Sequence, residues 1–435
     1  MSSFFWNKVL VRSGAVRWIP KFKRLFRGGE QSFYYLSHRA LALPIDDLID
    51  PALFPDVQAP DAINLALGSP RCELPLGAPR GLHELRGPSP WGQTDLRRLI
   101  AERSSTSGGL YDPEEETLIT HGATGAFGAV IDTFIDPGSP VILFDPTSPI
   151  FVLGLKHRRA RLRWIKTWLE EGKTRFDLQA FASAMRGAKM LVLADPANPT
   201  GGVLASEDLE QIAWWAQKHD VLIYRDESFG QFRYDPTPTT NLGAMPHAAT
   251  RLLTANGVSK TYGLSSARVG WLLGPKHLMR PTMLVASMNA PFVSPLGQQA
   301  ALTALRTGEA LATNLRDEMA GRRRYLFESL QGMGFKPAFP TGGYFFWVPV
   351  NHLGLSGREF ARRLLLERSV LVNPGEPFGP CGQDHIRLSY ATDEGRLREG
   401  VQRLTEFMTP LKPPCPVEAM NPIASELPAV VESQR

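Results

Sequence analysis

The chain is short of the features that would settle its class at a glance. Its 435 residues hold three cysteines, Cys72, Cys381 and Cys415. They lie far apart and form no CxxC pair, which excludes a cysteine-built zinc site and a disulfide framework. A reducing, cytoplasmic compartment is the expectation from that usage. No apolar run approaches the roughly 20 residues needed to cross a bilayer, and no segment repeats. Acidic residues are nearly missing from the first 40 positions, where Glu30 stands against Lys8, Arg12, Arg17, Lys21, Lys23, Arg24, Arg27 and Arg39. That arm carries +7 and the remainder −2, so the net charge of +5 belongs to the arm. Nothing in the body argues for nucleic acid.

The arm mixes its cations with Phe4, Phe5, Trp6, Val9, Leu10 and Val16. Lys8 and Arg12 interrupt any apolar core that a secretory signal would need. An arm that packs on a neighbouring subunit or covers an active site is the main expectation. Membrane contact through an amphipathic face is the second, and disorder or organellar targeting the third.

What the chain does contain is alternation. Residues 41–60 are rich in Pro, Asp and Leu and read as a linker, so 1–60 forms the arm and its connection. Seven short apolar runs follow, at Thr117–Thr120, Val141–Phe144, Leu162–Ile165, Met190–Ala194, Val221–Arg225, Leu252–Ala255 and Val269–Leu273. Helical spacing separates them, as in Leu96–Arg103, Ala126–Phe134 and Glu207–Lys218. Fully apolar strands alternating with helices predict a mostly parallel, seven-stranded sheet covered on both faces. This α/β unit is expected to span residues 61–295. From 296 to 408 the pattern changes to a smaller α+β unit. It has one long helical segment through Gln298–Met333, strands at Gly343–Val350, Val370–Val372 and His385–Tyr390, and helices near Arg358–Glu367 and at Glu394–Met408. Residues 409–435, with six prolines, read as a tail without a core.

Five motifs carry chemistry. Thr120-His121-Gly122-Ala123-Thr124-Gly125-Ala126 follows a strand and opens a helix, so backbone N–H groups, the helix dipole and the Thr124 hydroxyl can meet an anion. The same run would also serve as a plain tight turn. Asp195-Pro196-Ala197-Asn198-Pro199-Thr200-Gly201-Gly202 sets Asn198 between prolines at the carboxyl edge of the sheet, where ligands of open α/β sheets bind. It is equally good turn chemistry. Asp226 ends a strand, and a carboxylate in a low-dielectric crevice needs a partner. A protonated pyridine nitrogen would serve, as would a helix cap or a salt bridge. Lys260 lies in Val258-Ser259-Lys260-Thr261-Tyr262-Gly263, with Arg268 eight residues on. An amine there can form a Schiff base with an aldehyde cofactor and a guanidinium can hold its phosphate. Arg387, in His385-Ile386-Arg387-Leu388-Ser389, is a lone arginine in an apolar strand and needs an anion, either a substrate carboxylate or an internal partner.

In their joint order and spacing these pieces resemble the class I/II aminotransferases, which are fold-type I enzymes dependent on pyridoxal 5′-phosphate (PLP). The similarity covers roughly residues 60–408 and includes Gly342-Gly343. It implies that Lys260 holds PLP as a Schiff base and shuttles a proton, and that Asp226 keeps the pyridine nitrogen protonated. It implies that Asn198 bonds the ring 3-oxygen, with Gly122, Ala123, Thr124, Ser259 and Arg268 around the phosphate. Arg387 would take the amino-acid carboxylate, and Gly68 would contact the substrate. It further implies a homodimer with shared active sites.

Four positions depart from the family. Phe229 stands where a tyrosine usually reaches the ring oxygen. Ser148, in Pro146-Thr147-Ser148-Pro149, stands where an aromatic usually stacks on the ring, which leaves Phe127 or Phe151 as substitutes. Gly257 replaces a common serine. Leu85-Arg86-Gly87 lacks a tyrosine that often reaches the partner's phosphate, and Arg86 is the candidate replacement. The expectation is therefore an aminotransferase of a specialised biosynthetic route. PLP-dependent β-elimination, decarboxylation or oxidative deamination is the alternative, and a non-catalytic PLP-binding regulatory domain the third reading.

Overall fold

The computed structural model describes residues 63–66, 89–105, 111–235 and 241–411. The basic arm, Gly68, Arg86 and the tail beyond residue 411 lie outside the described residues.

Each of the seven expected strands forms. The central β3, β6, β8 and β9 are apolar runs buried on both faces, whereas β4 is only partly buried. Among the described residues the main sheet has nine strands rather than seven. In chain order, after a short β1 (Ile63–Asn64), these are β2 (Thr117–Thr120), β3 (Pro140–Asp145), β4 (Arg161–Glu170), β5 (Lys173–Phe176), β6 (Met190–Ala194), β7 (Val203–Leu204), β8 (Leu222–Asp226), β9 (Leu252–Gly257) and β10 (Gly270–Leu273). They lie in the order β2-β10-β9-β8-β6-β3-β4-β5-β7. The centre, β4 through β3, β6, β8 and β9, is parallel, and β10 runs antiparallel to both its neighbours. The two unexpected strands extend one edge, with β5 antiparallel to β4 and parallel to β7.

Strand alternation divides the core. Val141, Leu143, Val192 and Tyr224 pack with helix residues Phe127, Val130, Phe151 and Leu155 on one face. Ile142, Phe144, Leu191 and Ile223 pack with Phe181, Leu209 and Ile212 on the other. The sheet is thus covered on both sides, and its carboxyl edge presents Asp145, Asp195, Asp226 and the turn after Gly257.

The long helical segment is two helices, Pro295–Thr307 and Glu309–Gly332. Gly308 ends the first and starts the second. Beyond it a second sheet forms from β11 (Phe345–Pro349), β13 (Asn373–Pro374) and β14 (His385–Ser389), in the order β11-β14-β13. Between them in the chain, β12 (Val370–Leu371) pairs in parallel with β1. Ile63, Leu65, Phe229 and Phe232 share the core of this second unit with Tyr344, Phe345, Phe360 and Leu404. Among the described residues no helix is long and apolar enough to cross a membrane, and no cluster of residues could hold a metal ion.

Candidate active site

Four side chains expected to act together converge where the carboxyl edge of the main sheet meets the second sheet. Lys260 sits in a single helical turn, Val258–Thr261, entered directly from β9. Burial pushes its amine down to about 8, the positive charges of Arg387 and Arg268 push the same way, and Asp226 opposes them. Lys260 therefore feels all three other charged residues at once. Each of Asn198, Asp226, Lys260 and Arg387 is half-buried.

Asp226 is the last residue of β8, and its Oδ1 accepts the Ser228 backbone N–H at 2.9 Å. Burial raises its carboxyl pKa, and the Ser228 bond and the charge of Lys260 counter only part of that rise. A cationic ligand group would restore the ionised form.

The phosphate-type cradle lies at the start of helix Gly122–Phe134. The helix has no side-chain cap and no acidic residue in its first turn, so its orphan N–H groups and dipole face outward unopposed. Arg268 reaches over that end, donating from Nη1 to the Ser265 carbonyl at 3.1 Å and from Nη2 to the His121 carbonyl at 3.4 Å. Gly122 has φ +73°, and a Cβ there would come within 2.7 Å of Arg268 Nη2. Only glycine lets the guanidinium lie against the helix start. Ala123 is half-buried and Thr124 exposed beside it, and Ser259 precedes Lys260 on the same turn.

Arg387 lies on β14. Its Nη1 donates to Asn198 Oδ1 at 2.9 Å, and its Nη2 donates to the Ala66 carbonyl and to Asn373 Oδ1, each at 2.7 Å. The rings of Phe345 and Phe378 flank the guanidinium at 4.3 and 5.0 Å. Burial pushes its pKa down to about 10. Sequence reasoning missed Asn373, Ala66, Phe345 and Phe378. Asn373-Pro374-Gly375 reads as turn punctuation, and nothing in the spacing places it across from Arg387.

The departures have physical causes. A Cβ on Gly257 would fall 2.9 Å from the Val269 carbonyl oxygen and 3.1 Å from Gly270 Cα, so β10 lies too close for a serine. Phe229 is buried in an aromatic wall, edge-on to Tyr344 at 5.1 Å and Phe345 at 5.3 Å. Phe127 and Phe151 do not replace the missing ring-stacking aromatic. They are only 2% and 1% exposed, packed on each other at 4.8 Å and on Tyr224 at 5.1 and 5.9 Å. Both are core side chains beneath the sheet, with no face open to a ligand.

Known proteins resemble this chain in sequence and in fold. A family model described as aminotransferase class I and II matches residues 79–404. A putative aminotransferase, YugH, of Bacillus subtilis (strain 168) is 30% identical over 329 residues, covering 75% of this chain and 82% of its own. Aromatic-amino-acid aminotransferase 2 of Thermococcus litoralis is 28% identical over 321 residues, covering 73% of this chain and 82% of its own. The solved structure of aspartate aminotransferase from Thermus thermophilus with maleate superimposes with a TM-score of 0.76 at 28% identity, covering 85% of this chain and 99% of that one. With a match this long and a fold this close, the chain belongs to the class I and II aminotransferases, PLP-dependent enzymes of fold type I.

Proposed function

We propose that this chain exchanges an amino group between an amino acid and a 2-oxo acid, using PLP attached at Lys260. The observation that carries the reading is Arg387. It is a cation in the crevice whose hydrogen-bond partners are three neutral oxygens. Among the described residues no carboxylate pairs with it. Its charge acts on the Lys260 amine, so an anion bound at Arg387 would lie within electrostatic reach of that amine. An amino acid supplies a carboxylate for the one and an amino group for the cofactor held at the other.

The residues fit the cofactor. The uncapped helix start and Arg268, pressed together across Gly122, suit a phosphate. Asp226 suits a ring N–H⁺, and Lys260 suits an aldehyde carbon. PLP supplies a carbonyl that condenses with amines and a protonated ring that withdraws electrons from the substrate Cα. The chain supplies the rest. Asp226 holds the proton on the ring nitrogen. Asn198 accepts from Arg387 Nη1 at its Oδ1 and keeps its amide N–H groups to donate to the ring 3-oxygen. Lys260 Nζ would take the Cα proton and return it to the aldehyde-derived carbon of the cofactor, across the shared nitrogen, a role suited to an amine whose pKa is close to working pH. Arg387 orients the substrate by its carboxylate.

The dimer and the two-unit division, 61–295 and 296–408, belong to the same proposal. Leu284, Met288, Phe292 and Leu296 are 60%, 84%, 44% and 41% exposed. Close together in the chain, they give a second copy an apolar surface to cover. Phe229, Ser148 and Gly257 change the surroundings of the ring, which supports a specialised biosynthetic role over general nitrogen exchange.

The test is a half-reaction. Holoenzyme mixed with an amino acid should lose the absorbance of the aldehyde form of the cofactor, and a 2-oxo acid should restore it. Release of ammonia or CO₂ without an acceptor would replace transamination by elimination, oxidative deamination or decarboxylation. Silence toward all amino acids would leave a PLP-binding protein without turnover.

Two further outcomes are expected. Attachment of PLP to apoprotein requires the neutral amine, so its rate should climb with pH and reach half its plateau near 8, where Lys260 titrates. Borohydride trapping reads it, and a flat profile across that range would count against a depressed amine. Linkage has the same sign: the folded-state pKa is below the usual 10.5, so stability of the apoprotein rises as pH passes from about 8 toward 10.5, because there the unfolded chain holds the extra proton. Gly122→Ala should weaken PLP affinity about tenfold, or about 1.4 kcal/mol, because a Cβ there comes within 2.7 Å of Arg268 Nη2 and pushes the guanidinium off the helix start. Titration of apoprotein with PLP measures it.

A further inference from the structure

Arg387 is aimed from outside its own strand. The antiparallel pairing of β13 with β14 sets Asn373 directly opposite Arg387, and side chains so opposed share one face of a sheet. Asn373 Oδ1 accepts from Nη2 at 2.7 Å, on the same nitrogen that donates to the Ala66 carbonyl. The segment that carries Asn373 is itself fastened. Gly375 N–H donates to the His385 carbonyl at 2.8 Å, and the Phe378 carbonyl accepts from Thr147 N–H at 2.7 Å. The Cys381 N–H points to the Asp145 carboxylate at 3.2 and 3.1 Å. Asn373 is therefore held by its own sheet on one side and by the loop after β3 on the other.

The chemistry of the acceptor matters as much as its place. An apolar residue at 373 would leave a guanidinium N–H without its partner in a half-buried site. A carboxylate would satisfy the N–H but would pair with the cation and compete with any incoming anion. An amide oxygen satisfies the donor and leaves the charge available. Asn198 and the Ala66 carbonyl share that property. We propose that Asn373 is a positioning and specificity residue, whose neutral oxygen fixes Arg387 across the β13–β14 pair and reserves its charge for the substrate carboxylate. This rests on Arg387 being the carboxylate site.

Asn373→Ala and Asn373→Asp holoenzymes distinguish this from a packing role. Wild type is first screened against the twenty standard amino acids by the half-reaction, and the best substrate and its decarboxylated amine carry the comparison. In Asn373→Ala, KM for the amino acid should rise about ten- to a hundredfold, the range for a hydrogen bond to a charged group. PLP affinity and the response to the amine should stay near wild type. In Asn373→Asp the loss should exceed that of Asn373→Ala although the side chain keeps its shape, and it should shrink as pH falls toward aspartate protonation. Equal binding by Asn373→Asp and wild type would overturn the proposal. So would a loss in Asn373→Ala that falls equally on amino acid and amine. A wild type that answers to none of the amino acids would instead remove the reading of Arg387, and this proposal with it.

Discussion

Lys260→Ala is expected to lose transamination while still binding PLP. Proton transfer by a placed side chain is worth about 10²–10⁴-fold, and loss of the covalent attachment adds to that. Binding should survive, because the helix start at Gly122, Arg268 and Asp226 are untouched. Lys260→Arg keeps the positive charge but cannot release a proton near neutral pH, so it should be as inactive as the alanine variant. The checks are the amino-acid half-reaction and mass spectrometry of the borohydride-reduced holoenzyme, in which wild type should carry PLP at position 260. A variant with more than about a tenth of the wild-type rate, or a label at another lysine, would end the assignment.

That lysine was legible because the sequence marks it twice, by an apolar strand that ends at Gly257 and by an arginine eight residues on. Asp226, Asn198 and Arg387 were legible for the same kind of reason. Each is a polar residue at the end of, or alone within, an apolar run, and burial there demands a partner. What stayed hidden depends on distances that no periodicity records. β5 was missed because Lys173-Thr174-Arg175-Phe176 is polar and short, and β7 because two residues carry no pattern. The break at Gly308 was missed because Leu302, Leu305, Leu311 and Leu315 keep helical spacing across it. Phe127 and Phe151 looked available to the cofactor because the chain places them near the right loops. Only the fold shows that they point into the layer below. Asn373 was invisible because its partner lies fourteen positions away through an irregular loop.

The same limit hid a buried charge network behind the site, and it sets the largest expected effect on stability. Asp195 and Arg225 form an ion pair at 2.6 Å with side chains 0% and 1% exposed. Arg225 also meets Glu227 at 2.9 Å, and Arg233 stands 4.0 Å from Asp195. Asp195 Oδ1 takes the Leu204 N–H at 3.0 Å, and its own N–H donates to the Asp226 carbonyl at 3.0 Å. Alternation along β8 puts Arg225 and Glu227 on one face and Asp226 on the other, so the network backs the residue that faces the crevice. It ties the end of β8 to the loop that carries Asn198. Removing Asp195 breaks the fully buried pair and leaves Arg225 with Glu227 alone, and breaking a buried pair typically costs about 3–5 kcal/mol. Asp195→Ala should therefore lower the melting temperature by roughly 6–20 °C, at about 2–4 °C per kcal/mol for a large domain. Replacing both by apolar residues of similar size, Asp195→Leu with Arg225→Met, should harm less than Asp195→Leu alone, because the fully buried guanidinium that lost its nearer carboxylate is then gone as well. Calorimetry of the holoenzymes gives the comparison. Additive losses in the double variant would show that the two side chains are not coupled, and a cost under about 1 kcal/mol for Asp195→Ala would place the pair among the solvated surface bridges rather than in the core.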